Sequence, residues 1–208
     1  MEEGKFLLGE ILKFIIIISF LFVNDGLTKD QTSLNEISSY LDSFLTMDAE
    51  FTQINSDGEE KTGTIKIKRP GKLRIEYDDP SSILIVCDGS KLAVINKKQK
   101  NISLYKKDQL PIGMFLNDDF SIKNYNILNF SSKDNVIKLT ISKPGSENMQ
   151  KIVFFFEKNP MLLRKWVIIE KNNSKTEMYL SKLLINQTIE KKEFVISDPR
   201  MLPFGRVE

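Results

Sequence analysis

The stretch Ile65-Lys66-Ile67-Lys68-Arg69-Pro70-Gly71-Lys72-Leu73-Arg74-Ile75-Glu76-Tyr77 decides the fold. Ile65 and Ile67 alternate with Lys66 and Lys68, and Leu73, Ile75 and Tyr77 alternate with Lys72, Arg74 and Glu76. A period of two places one set on an apolar face and the other in water, and Pro70-Gly71 supplies the turn between them. The segment therefore reads as an antiparallel hairpin with one buried face.

The same period runs outward in both directions. About eleven strands are expected, near residues 49–55, 60–69, 72–77, 82–87, 91–96, 101–106, 124–130, 136–142, 150–157, 162–170 and 175–186. Asp57-Gly58, Asp88-Gly89, Pro144-Gly145, Asn159-Pro160 and Asn172-Asn173 fall in the gaps as turns. Upstream, Ser33-Leu34-Asn35-Glu36 has the spacing of a capping box, and Leu34, Ile37, Leu41, Phe44 and Leu45 follow at helical intervals, which predicts one amphipathic helix to about Met47. The strand pattern is interrupted at Asp108 to Asp119, where Pro111 can open a short helix carrying Ile112, Met114, Phe115 and Leu116. One helix and a short second one cannot cover this many strands laid flat, so the sheet is expected to curl until its apolar face meets itself and the helices, leaving a hollow. The predicted class is mainly β: an unclosed, strongly curved antiparallel barrel with a helical lid.

Composition narrows the function. The chain has 208 residues, 30 Lys+Arg against 28 Asp+Glu, no histidine and one cysteine, Cys87. Without histidine there is no Ser-His or Cys-His dyad, and the commonest ligand of a catalytic zinc is missing. A lone cysteine closes no intramolecular disulfide, and Cys87 reads as a small buried apolar residue. The carboxylates sit mostly in turns and form no acid/base pair, so neither an enzyme nor a cofactor or metal site is expected.

Ile11 to Val23 are apolar except for Lys13 and Ser19, too short a run for a membrane-spanning helix and of the right length for the core of an export signal. Residues 1–27 are read as that signal and 28–208 as one soluble domain, with no cysteine directly following the apolar run to carry a lipid anchor.

Three features are candidates for function. Continuing the alternation from Ile65 and Ile67 turns Arg69 onto the apolar face, where a guanidinium needs a carboxylate or backbone carbonyls; the alternative is that Pro70 and a bulge turn it outward into water. Phe154-Phe155-Phe156 implies cover on both faces of its strand, with Ile152, Phe154 and Phe156 inside; either a helix packs on the second face or one face lines an apolar cavity. Lys97, Lys98, Lys100, Lys106 and Lys107 cluster on one hairpin, which raises nucleic acid, anionic lipid or an acidic protein, beside the plain reading of a solvated face. Export and the lack of an aromatic stacking platform argue against nucleic acid.

Together, Phe51-Thr52-Gln53, Gly63, Lys68-Arg69-Pro70-Gly71-Lys72-Leu73-Arg74, Tyr77, Pro80, Ile83 to Val86, Asp88-Gly89, Pro111 to Leu116 and Phe194-Val195-Ile196-Ser197-Asp198-Pro199 resemble the periplasmic outer-membrane lipoprotein carrier family, the LolA-like proteins. The resemblance covers about Leu34 to Pro199 and departs from the family at Leu73 and at Ala93-Val94, where aromatics are common. It implies an unclosed barrel with a helical lid over an apolar cavity, in a monomeric periplasmic chaperone without catalytic function. Such a carrier takes acylated lipoproteins from an inner-membrane ABC lipoprotein-releasing complex and passes them to an outer-membrane acceptor. The arginine of the R-P pair, here Arg69, is implied as the lid latch. The acyl-binding cavity and lid are then expected to use Ile65, Ile67, Leu73, Ile75, Tyr77, Phe154 and Phe156 with Ile112, Met114, Phe115 and Leu116. A lipid- or lipoprotein-sensing regulatory domain on the same scaffold is the competing expectation, since fold alone does not separate the two.

Overall fold

The computed structural model of the chain describes residues 25–106, 116, 120–145 and 150–200. Helix α1 (Asp25–Ser43) is followed by β1 (Thr46–Asn55), β2 (Glu60–Lys68), β3 (Lys72–Tyr77), β4 (Ile83–Asp88), β5 (Lys91–Asn96) and β6 (Asn101–Lys106). After a connection come β7 (Asn126–Lys133), β8 (Val136–Ser142), β9 (Gln150–Glu157), β10 (Leu162–Glu170) and β11 (Lys175–Ile185). All eleven strands form one antiparallel sheet in the order β6-β5-β4-β3-β2-β1-β11-β10-β9-β8-β7. Two meanders, β1 to β6 and β7 to β11, are thus joined where β1 pairs with β11, and the sheet is open between β6 and β7.

The alternation expected from the sequence is the alternation found. Ile65 pairs with Ile75 and Ile67 with Leu73, and all four are buried. Leu73 and Cys87 on one side of the sheet share a single core with Ile137, Leu139, Ile141 and Phe154 on the other. Strands β4 and β8 lie seven places apart in the order, about 34 Å at the usual spacing of a flat sheet. A common core therefore requires the sheet to curl, with α1 contributing Ile37 and Leu41 to the enclosed face.

The helix differs from its expected span. It begins at Asp25, well before the Ser33 capping spacing, and stops at Ser43 instead of continuing to Met47. Phe44 and Leu45 lie outside it, and Leu45 is 65% exposed although its spacing placed it on the apolar stripe. The physical reason is a set of caps from distant strands, described below. On β9, Ile152, Phe154 and Phe156 face the core as expected. The outward-facing Phe155 is flanked by Lys138 and Lys165, whose ammonium groups lie 5.8 and 5.2 Å from its ring centre. Among the described residues, lysine side chains rather than a helix occupy that flank.

The wet face of β2 and β3 is crossed by the C-terminal segment. Lys68 Nζ donates to the Ile189 carbonyl at 2.8 Å, Lys66 Nζ to Glu193 Oε2 at 3.1 Å, and Arg74 Nη1 to the Glu193 carbonyl at 3.3 Å. Ile189 and Phe194 are buried beneath this polar stitching, which gives Phe194, the first residue of the Phe194 to Pro199 motif, a structural role. Among the described residues no helix is long and apolar enough to cross a membrane.

Candidate functional site

The turn after β2 is where the sheet meets the end of α1 and Leu116. Arg69 follows the parity of Ile65 and Ile67 and points inward; Pro70 does not turn it out to water. Its Nη1 donates to the Leu41 carbonyl at 2.7 Å and to the Phe44 carbonyl at 3.3 Å. Leu41 lies in the last turn of α1, whose final carbonyls have no partner within the helix and carry the negative end of its dipole. A guanidinium is well matched to that end, since it offers several donors in one plane and one positive charge. Its carbon lies 3.9 Å from the centre of the Phe44 ring and 5.3 Å from that of Phe120. Phe44 belongs to the α1–β1 junction and Phe120 to the segment before β7, so one side chain touches both. Burial draws the Arg69 pKa down to about 10, against the opposing pull of Asp42, and the group stays charged at neutral pH.

The backbone on either side of Arg69 repeats this bridging. The Arg69 N–H donates to the Leu45 carbonyl at 2.9 Å, and the Gly71 N–H donates to the Leu116 carbonyl at 2.6 Å. Gly71 has φ +73, and a Cβ there would lie 2.9 Å from the Cα of Gly89. The Asp88-Gly89 turn is thus packed backbone to backbone on the Pro70-Gly71 turn, which explains why both motifs carry glycine.

Behind this turn the apolar face is shut. Ile65, Ile67, Leu73, Phe154, Phe156 and Leu116 are at most 1% exposed, and Ile75 is also buried. Tyr77 is half-buried beside them, meets Phe51 edge to face at 5.2 Å, and donates its hydroxyl to Gln53 Oε1 at 2.7 Å. Phe51-Thr52-Gln53, Gly63 and Tyr77, separate in sequence, therefore form one piece of wall. The structure brings together Ile65, Ile67, Leu73, Ile75, Tyr77, Leu116, Phe154 and Phe156 around one interior, with Arg69 at its rim. Ile112, Met114 and Phe115 lie outside the described residues. So does Lys107 of the lysine cluster, and so does most of the expected export signal.

Two residues escaped the sequence reading. Tyr40 accepts the Leu163 N–H at 3.2 Å through its hydroxyl and packs edge to face on Phe156 at 6.0 Å, which seats α1 on β9 and β10. The donor is left free by the register shift between Leu163 and Lys165, which periodicity does not reveal. Asn186, just past β11, accepts the Leu45 N–H at 2.8 Å through Oδ1 and donates from Nδ2 to the Ser43 carbonyl at 3.2 Å. It sits at φ +57, a conformation Asn tolerates better than most residues, so a lone Asn after a long strand was the available signal. Arg69 and Asn186 together cap the end of α1 and stop it at Ser43.

Asn186→Ala is expected to cost about 1–2 kcal/mol, from two lost hydrogen bonds and a strained backbone. Asn186→Gly should recover the part due to strain. Urea denaturation followed by the buried Trp166 measures both, and equal stability of Asn186→Ala and the parent would show that the clamp carries no energy.

Comparison with known proteins agrees with this architecture. The profile of the family described as "Outer membrane lipoprotein carrier protein LolA" matches residues 42–197. An outer-membrane lipoprotein carrier protein of Idiomarina loihiensis is 25% identical over 199 residues, covering 91% of this chain and 94% of its own. One from Legionella pneumophila is 25% identical over 202 residues, covering 90% and 96%. Among solved structures, an uncharacterized conserved protein from Thermus thermophilus shares the fold at a TM-score of 0.50 and 9% identity, covering 80% of this chain and 94% of that one. A curled eleven-stranded sheet with an inward arginine at its R-P-G turn, matched by the family profile over most of its length, places the chain in the outer membrane lipoprotein carrier protein LolA family, whose members are carriers and not enzymes.

Proposed function

We propose that the chain is a periplasmic carrier that holds the acyl chains of lipoproteins between its curled sheet and the two covers, and moves them from the inner to the outer membrane. The observation that supports this best is the buried apolar face with one charged side chain, Arg69, at its rim, which reaches the end of α1, Phe44 and Phe120. In this reading residues 1–27 direct export, an inner-membrane ABC lipoprotein-releasing complex loads the carrier, and an outer-membrane acceptor empties it. Arg69 is the lid latch. Ile65, Ile67, Leu73, Ile75, Tyr77, Phe154 and Phe156 form the acyl-binding wall, and Leu116 with Ile112, Met114 and Phe115 forms the cover.

The energetics follow from chain burial. Each CH₂ removed from water gains about 0.8 kcal/mol, so a fatty chain of about 15 methylenes gains on the order of 12 kcal/mol. That is enough to keep a lipoprotein soluble and too much for easy release. Because the wall is already out of solvent, an acyl chain enters only by displacing the covers. Displacement breaks the bonds from Arg69 and exposes Leu41, Phe44, Leu116 and Phe120. This cost is set against the gain from acyl burial and brings the loaded state within reach of transfer.

The test uses a triacylated lipoprotein in detergent, diluted below micelle formation in the presence of the purified protein. A soluble complex of the two on size exclusion is expected, and none with the deacylated form. If the lipoprotein aggregates as it does alone, the carrier reading fails.

A further inference from the structure

We propose that strand β6 is a docking edge, to which a partner protein adds an acidic, extended segment as a further strand. β6 is the last strand on its side of the sheet, and among the described residues nothing pairs with its outer edge. A bare row of backbone N–H and C=O groups is complemented by another backbone. Its middle, Ile102-Ser103-Leu104-Tyr105, carries no charge, and Leu104 and Tyr105 are 60% and 48% exposed. Lys91, Leu104, Tyr105 and Lys106 line a shallow surface hollow beside it.

Charge selects the partner. From Gly89 to Lys106 there are lysines and no carboxylate. Lys97 is held by Glu76 at 2.6 Å, whereas Lys91, Lys98, Lys100 and Lys106 are in no ion pair among the described residues. A second copy of this chain pairing edge to edge would bring its own lysines against these, which disfavours self-association. An anionic lipid surface would satisfy the lysines and leave the backbone row unmatched. An acidic strand satisfies both. None of this depends on the acyl-binding reading.

The experiment uses the full chain and a fluorescein-labelled peptide of about ten residues alternating Glu and Val, with a Thr-Val peptide as neutral control and phosphatidylglycerol vesicles as the lipid probe. Binding of the acidic peptide is expected, weakening as salt rises, with slowed amide exchange confined to residues 101–106. The combined variant Lys98→Glu, Lys100→Glu, Lys106→Glu, all at exposed positions, is expected to bind about tenfold more weakly or not at all while unfolding at the parent's urea midpoint. The proposal is overturned by no binding, by equal binding of both peptides, by protection elsewhere, or by binding to vesicles alone. Lipoprotein binding measured on the same variant separates this result from the carrier reading, which predicts it unchanged.

Discussion

Arg69→Leu is expected to leave loading intact and to slow release by about thirtyfold. Leucine keeps the bulk and the apolar character of the site but removes both donors, so the Leu41 and Phe44 carbonyls lose the charge they face. Hydrogen bonds from a charged group contribute about 1.5–3 kcal/mol each, and burial of the guanidinium subtracts from that sum. A net loss of about 2 kcal/mol from the closed form corresponds to that factor of thirty. With closure weakened, a bound acyl chain has less to compete with, and apparent affinity rises as the release rate falls. Arg69→Lys should fall between, because an ammonium can reach one carbonyl and lacks the flat face that lies over Phe44. The measurement is the rate at which loaded protein passes a fluorescent acyl chain to acceptor vesicles. Parent-like release from Arg69→Leu would remove the latch role while leaving the acyl-binding wall to be judged by equilibrium titration.

The strands were legible because they depend on nearest neighbours, whereas the inward aim of Arg69 was one of two readings that pattern left open, an outward turn at Pro70 being the other. A period of two is written into consecutive residues, and it carries through Lys68 to Arg69 without interruption. The end of α1 was not legible for the opposite reason. Leu41, Phe44 and Leu45 keep helical spacing, but the carbonyls that decide where the helix stops are taken by Arg69, 28 positions from Leu41, and by Asn186, 143 positions from Ser43. Local pattern cannot see such partners. The register shift that frees the Leu163 N–H for Tyr40 is hidden in the same way, since both neighbouring strands keep their alternation on either side of it. The acyl-binding wall lies between these cases. Parity selects Ile65, Ile67, Leu73 and Ile75, but only the curl of the sheet shows that Phe154 and Phe156 share their interior.

Gly63→Ala is expected to be among the most destabilising single substitutions in the chain, although it adds one methyl group. Gly63 sits between Phe51 on β1 and Tyr77 on β3. A Cβ there would lie 2.1 Å from the Glu76 carbonyl oxygen and 2.9 Å from the Phe51 ring. The ring can move, but the carbonyl is backbone, so β3 must shift and the edge-to-face contact between Phe51 and Tyr77 is lost with it. Overpacking of a core costs about 1–3 kcal/mol when side chains yield, and more when the obstacle is backbone, so a loss of about 3 kcal/mol or greater is expected. Gly58→Ala is the control. Gly58 has φ +82 with nothing within 4 Å of its added Cβ, so that variant bears only the cost of a left-handed backbone, about 1–2 kcal/mol. Urea midpoints followed by Trp166 fluorescence compare the two directly. If Gly63→Ala is no worse than Gly58→Ala, then β2 and β3 do not approach as closely as the wall of the interior requires, and the F-T-Q, glycine and tyrosine positions are not one packed unit.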